Sequence, residues 1–322
     1  MLLLDGAMLG SSIVAVGERG TVLVSMDHGV SWRRSSTPTR ATLTGVSFPA
    51  VDLPRRGWAV GHEAEILVSV DRGLTWARQY QGSNRTDSFL DVIALDERRA
   101  IAVGAYGLFS STDDGGATWS TRKIRAEDSH LNRISAGPTG KLYIAGESGT
   151  LLRSKDNGAT WREIRSSYQG SFYGILPLGE NALLAHGLRG HVLRSDDDGA
   201  TWKETSGAAP VLLACAVPIA GKGVLLAGQA RHLYLSADGG RTLSTPAGAP
   251  TTGVAELLDL GNGRVLALGE AGATLVRLPC APAPQPAPRR SSASPTGCSA
   301  TGPSWWRYSS SLPPRWPCSR RG

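Results

Sequence analysis

The chain has 322 residues, of which 41% are hydrophobic and 19% charged, with 40 glycines; this is the composition of a globular fold rich in short strands and turns. No run approaches the ~18 apolar residues of a membrane span, and the apolar start Met1–Leu4 breaks at Asp5 with no basic stretch before it, so no signal peptide is visible. The formal charge is +7, but Arg289, Arg290, Arg307, Arg315, Arg320 and Arg321 lie in 279–322 with no acidic residue, leaving 1–278 at +1, a poor match to a nucleic-acid partner.

From the N-terminus, the first unit begins with the apolar run Leu2–Met8. A hairpin follows, Ile13–Gly17 and Thr21–Ser25, turning at Glu18, Arg19 and Gly20. Short apolar or alternating runs punctuated by glycine are strand and hairpin signals. The same order recurs six more times. The apolar runs are Thr42–Phe48, Phe89–Leu95, Leu131–Ala136, Phe172–Leu178, Val211–Val217 and Val254–Leu260, each followed by a hairpin.

After the hairpin comes an eight-residue pattern, Ser/Thr-x-Asp-x-Gly-x-Ser/Thr-Trp. The first copy is Ser25, Asp27, Gly29, Ser31, Trp32; the others are built on Asp71 with Trp76, Asp114 with Trp119, Asp156 with Trp161, and Asp197 with Trp202. A sixth, on Asp238, ends in Leu243. Their first residues, Ser25, Ser69, Thr112, Ser154, Ser195 and Ser236, are 44, 43, 42, 41 and 41 residues apart, the length of a four-stranded propeller blade. Glycine supplies a positive φ, the Asp carboxylate and the hydroxyls accept or donate across the turn, and Trp opens the outer strand as a wedge. Six aspartates at blade period therefore read as turn staples. The fold expected is all-β: a β-propeller of seven four-stranded blades over 1–278, the last lacking its outer strand because Pro279 follows directly. Residues 279–322, rich in Pro, Ser and Arg, read as a disordered tail.

With these boxes, and with hairpins such as Ala15–Gly20 and Ala145–Gly149, the chain resembles the Asp-box (bacterial neuraminidase repeat) propellers. Within them it is most similar to the photosystem II assembly and stability factor-like group. The resemblance implies a protein partner, an assembly role at a membrane or envelope complex, and a periplasmic or exported location for the full-length form. It implies no cofactor, no direct membrane insertion and a monomer. The box itself is shared by enzymes and receptors, so it does not set function.

The alternative is a sialidase-like glycoside hydrolase or glycan-binding propeller. It would need an arginine cluster, a Tyr–Glu pair and an acid Asp; the Arg-Ile-Pro segment that opens those enzymes is absent. Asp91 and Asp259 fall in inner strands, where a single carboxylate reads as a cap on the channel. The histidines, His28, His62, His130, His186, His191 and His232, read as solvated loop residues, and Cys215 as a small core residue; none has metal-site spacing. No catalytic residue is assigned. Candidate partner contacts are Arg19, Glu63, Tyr106, Arg189 and Arg231, in the turns between second and third strands, which vary from blade to blade while the boxes opposite stay uniform.

Overall fold

A computed structural model describes residues 1–221, 223–246 and 250–278. Its strands form seven antiparallel sheets, each a meander in chain order. Blade one comprises Leu3–Leu9, Ser12–Gly17, Thr21–Ser25 and Arg33–Arg34; blade seven comprises Val254–Gly261, Arg264–Gly269 and Gly272–Arg277. The first strands line the axis and alternate between buried and half-buried positions. The second strands are buried on both faces, as in Gly57–Gly61 and Leu183–Gly187, and the outermost are exposed. Seven apolar clusters fill the seven blade–blade interfaces. One of them, Leu3, Ile13 and Ala15 against Leu260, Leu266 and Leu268, closes the ring between blades seven and one.

All six boxes form the expected turn. In the first, the Asp27 carboxylate accepts from the Ser31 N–H at 2.9 Å and the Ser31 hydroxyl at 2.6 Å, while Ser25 Oγ accepts from the Gly29 N–H at 2.8 Å. These bonds favour the ionised form: the hydrogen bond from Ser31 and its counterparts hold Asp27, Asp114, Asp156 and Asp197 at about 2, and Asp238 is lowered as well. At Asp71 burial works upward, yet the bonds from Thr75 and Ser69 leave it lowered. The box tryptophans wedge against the preceding blade: Trp76 packs with Val14 and Val16 of blade one, and Trp161 with Ile101 and Phe109 of blade three.

One recurrent glycine has a reason invisible in the turn chemistry. The second strand ends in Gly17, Gly61, Gly104, Gly146, Gly187, Gly228 and Gly269, all with room for no side chain. A Cβ at Gly104 would lie 2.1 Å from the Ser88 carbonyl oxygen, and one at Gly228 1.9 Å from that of Leu212. The residue before each inner strand passes directly over this glycine and accepts the next backbone N–H, as in Ala105 N to Ser88 O at 2.9 Å.

Two expectations need correction. Among the described residues blade six also has no regular outer strand: five sheets have four strands and two have three. Only the bridge Leu235–Ser244 remains of it. In blades one, three, four and five the residue three past the box's last position donates its N–H to the third strand, as Ser35 does to Val22 O at 2.9 Å and Thr205 to Val192 O at 2.8 Å. In blade six that position is Pro246, which has no N–H to give. The inner strand of blade six runs Leu213–Ile219, two residues later than the apolar run, because Val211 and Leu212 hold the blade connection through Gly190 and Gln229. The disordered-tail reading of 279–322 lies outside the described residues.

Candidate functional site

Each inner strand carries a β-bulge near its start, which leaves one residue unpaired: Leu4, Thr44, Leu90, Asn132, Tyr173, Ala214 and Ala255. A bulge re-aims a side chain out of the ladder, and here all seven line one cavity of about 360 Å³ on the axis, joined by His130, Glu147 and Leu212. The cavity opens on the face of the second-to-third-strand turns, since those turns bond to the residues just before the inner strands. The boxes lie at the opposite end, bonded to the first-to-second-strand turns, as in His28 N to Ser11 O.

Below the bulge residues lies a second ring at the next register position: Asp5, Gly45, Asp91, Arg133, Gly174, Cys215 and Glu256. Arg133, on blade four, is the hub. Its guanidinium reaches Asp5 at 3.2 Å, Asp91 at 3.6 Å and Glu256 at shorter range, spanning to blades one, three and seven. The carboxylates are also tied to backbone. Asp5 accepts from Val46 N at 2.7 Å and Asp91 from Ile134 N at 2.9 Å, each stitching its blade to the next. Three buried acids around one cation cannot all be charged at little cost. Burial pushes Asp91 up to about 6 and Glu256 up to about 7 against the pull of Arg133, and raises Asp5 too. For Arg133 burial works downward, but Glu256, Asp91 and Asp5 outweigh it and keep it protonated.

Asp91 is thus not a lone cap on the channel, as its sequence position suggested, but one of three acids sharing a guanidinium. Asp259 sits apart, at the other end of its strand, accepting from Ala220 N at 3.2 Å and Gly261 N at 2.9 Å. His186 is not a solvated loop residue. It is 2% exposed, fills the space that Gly174 leaves open, and donates through Nδ1 to the Leu213 carbonyl at 3.0 Å. Burial holds it down at about 4, so it is neutral. Cys215 is buried in the core between blades six and seven. Among the described residues, no group of three or more His, Cys, Asp or Glu is arranged to hold a metal ion.

Of the five candidate contact residues, Arg19, Tyr106, Arg189 and Arg231 are exposed at turn tips of four different blades. They take positive φ of 54–64°, a conformation that costs a residue with a Cβ about 1 kcal/mol. Glu63 is half-buried and engaged by Arg85 at 3.1 Å. The structure arranges them around the face without bringing them into one patch. Only Tyr106, 68% exposed, reaches the cavity's rim, its ring edge-on to His130 at 4.7 Å; His130 in turn faces Glu147 at 3.4 Å. Sequence reasoning passed over Asp5, Arg133 and Glu256, although the repeat places them at one register position.

Fold and site together define a β-propeller with a bulge-lined axial funnel on its variable face. The sequence pattern of the family described as photosynthesis system II assembly factor YCF48 matches residues 80–212. The photosystem II assembly lipoprotein Ycf48 of Synechococcus sp. (strain CC9902) is 32% identical over 99 residues, 29% of each chain, so the match spans under a third of that relative's length. Two solved structures are similar over most of the chain. YCF48 bound to D1 peptide has a TM-score of 0.70 at 19% identity, covering 87% of this chain and 92% of that one. YCF48 from Cyanidioschyzon merolae has 0.71 at 18%, covering 86% and 95%. The WD40 propeller of Doa1 scores 0.67 at 12% identity, covering 86% and 92%; shape alone therefore establishes the propeller. The sequence matches narrow the likeness to photosystem II assembly factor-like propellers.

Proposed function

We propose that this chain is a non-catalytic propeller that receives an exposed segment of a protein partner at the axial funnel, and that it serves the assembly of a membrane or envelope complex after export. The observation that carries this is the convergence of seven unpaired bulge residues on one cavity of about 360 Å³. Leu4, Leu90, Leu212 and Tyr173 offer apolar wall, and His130 and Glu147 give it a polar rim. Tyr106 and the arginines Arg19, Arg189 and Arg231 stand around it as contacts of the residue types favoured in binding hot spots. A similar propeller solved with a D1 peptide, and a relative described as a lipoprotein, support the partner class and the exported setting.

The hydrolase reading finds less support. Tyr143 donates to Asp198 at 2.6 Å, Tyr168 to the Leu188 carbonyl at 3.3 Å, and Tyr234 accepts from Ala209 N at 2.8 Å, so none of these hydroxyls is set against a glutamate. The test is site-specific photo-crosslinking from position 106 of the full chain in native envelope membranes, repeated with Ala214→Trp and Ala255→Trp, which plug the funnel. A membrane-protein adduct lost in the plugged variants supports the proposal. An adduct indifferent to plugging, or turnover of a fluorogenic sialoside, overturns it.

A further inference from the structure

On the box face, away from the funnel, the outer part of blade four carries more cations than the one neighbouring carboxylate, that of Asp198, can pair. Arg153 and Arg162 are directly opposite each other on the third and fourth strands, and like charges so placed repel. Blade five has the same arrangement, Arg194 opposite Lys203. There Asp196, the residue before the box aspartate, engages Arg194 and also Arg241 at 3.1 Å. In blade four the equivalent position is Lys155, so a third cation stands where blade five has its counter-charge.

Arg153, Lys155 and Arg162, with Thr160, line a pocket of about 250 Å³. One carboxylate reaches this region from blade five, that of Asp198, and it is shared: Arg153 at 2.8 Å, Lys141 at 3.2 Å, Lys155 at 3.8 Å and the Tyr143 hydroxyl at 2.6 Å. Asp156 is taken up by its own turn, accepting from the Thr160 N–H at 2.9 Å and hydroxyl at 2.6 Å. Arg162 has no ion-pair partner among the described residues.

We propose that this pocket binds an oxyanion of the phosphate class. Two arginines on adjacent strands and Lys155 in the box turn present several N–H donors around a space with room for a tetrahedral anion, and guanidinium groups suit its paired oxygens. Arg153 is held in place by Asp198, which also accepts through its backbone carbonyl at 2.6 Å, so the site is formed before the anion arrives. Thr160 lines the pocket without offering its proton, which Asp156 holds. The phosphate can be free or carried as a monoester on a lipid headgroup, and the measurement separates the two.

The experiment is titration calorimetry of the full chain with inorganic phosphate, against chloride at matched ionic strength, alongside co-sedimentation with phosphatidate-containing vesicles. Both are repeated for Lys155→Asp, which copies blade five, and for Arg162→Gln at an exposed position. Saturable phosphate binding weakened about tenfold or more in both variants supports a free anion as the ligand. Vesicle binding lost in both variants, with no response to inorganic phosphate, assigns the site to a lipid phosphate. Binding no stronger than chloride in both arms, or undiminished in both variants, overturns the proposal.

Discussion

Replacing Arg133 with methionine retains much of the bulk of the side chain across the channel but removes the cation held by Asp5, Asp91 and Glu256. Removing one partner of a buried ion pair costs about 3–5 kcal/mol, because the remaining charge is left without compensation. The cost must depend on pH. Asp91 and Glu256 have raised folded-state values, about 6 and about 7, so between roughly pH 4 and pH 7 the folded state binds more protons than the unfolded state. Stability therefore falls as pH rises through that window, by about 1.4 kcal/mol per pH unit for each extra proton bound. Without Arg133 the acids titrate higher still, and the loss extends above pH 7. Urea unfolding followed by tryptophan fluorescence at pH 5 and pH 8 should show Arg133→Met destabilised by about 3–5 kcal/mol at pH 8 and much less at pH 5. Adding Glu256→Gln should restore part of the loss at pH 8. Equal destabilisation at both pH values would refute the idea that the acids, and not packing, set the cost.

Gly104→Ala places a Cβ 2.1 Å from the Ser88 carbonyl oxygen; the backbone must move apart, and thermal unfolding should show a loss of about 1–3 kcal/mol, whereas an unchanged melting temperature would mean that the blade connection yields freely. The box aspartates have lowered values, so the stability they supply is full above about pH 4 and is lost as pH falls towards about 2. In the double variant Asp114→Asn, Asp156→Asn, circular dichroism should show lower stability at pH 7 and a shallower acid transition than the wild type, and an identical acid transition would contradict the staple role.

Legibility in the sequence followed the range of the interactions. Each box closes within eight residues, its bonds running between residues two to four positions apart. Spacing and residue type are therefore enough to define the turn and the blade period, and the seven apolar runs, each followed by a hairpin, supply the count of seven. Arg133 lies 128 residues from Asp5 and 123 from Glu256; their meeting depends on ring closure, which brings blades four, one and seven to one axis. The same holds for the partner contacts, which share a face by topology yet stand on separate blades. His186 has the polarity of a loop residue, but Gly174 opens a space on the channel wall that only its ring fills. Pro246 withholds one N–H from the outer edge of blade six, an effect that shows only once its position beside the third strand is known. What the sequence determined alone was the repeat and its local turn chemistry. What only the tertiary structure decided was which residues of different repeats face one another across the axis, because that depends on the curvature of a closed ring and not on any distance along the chain.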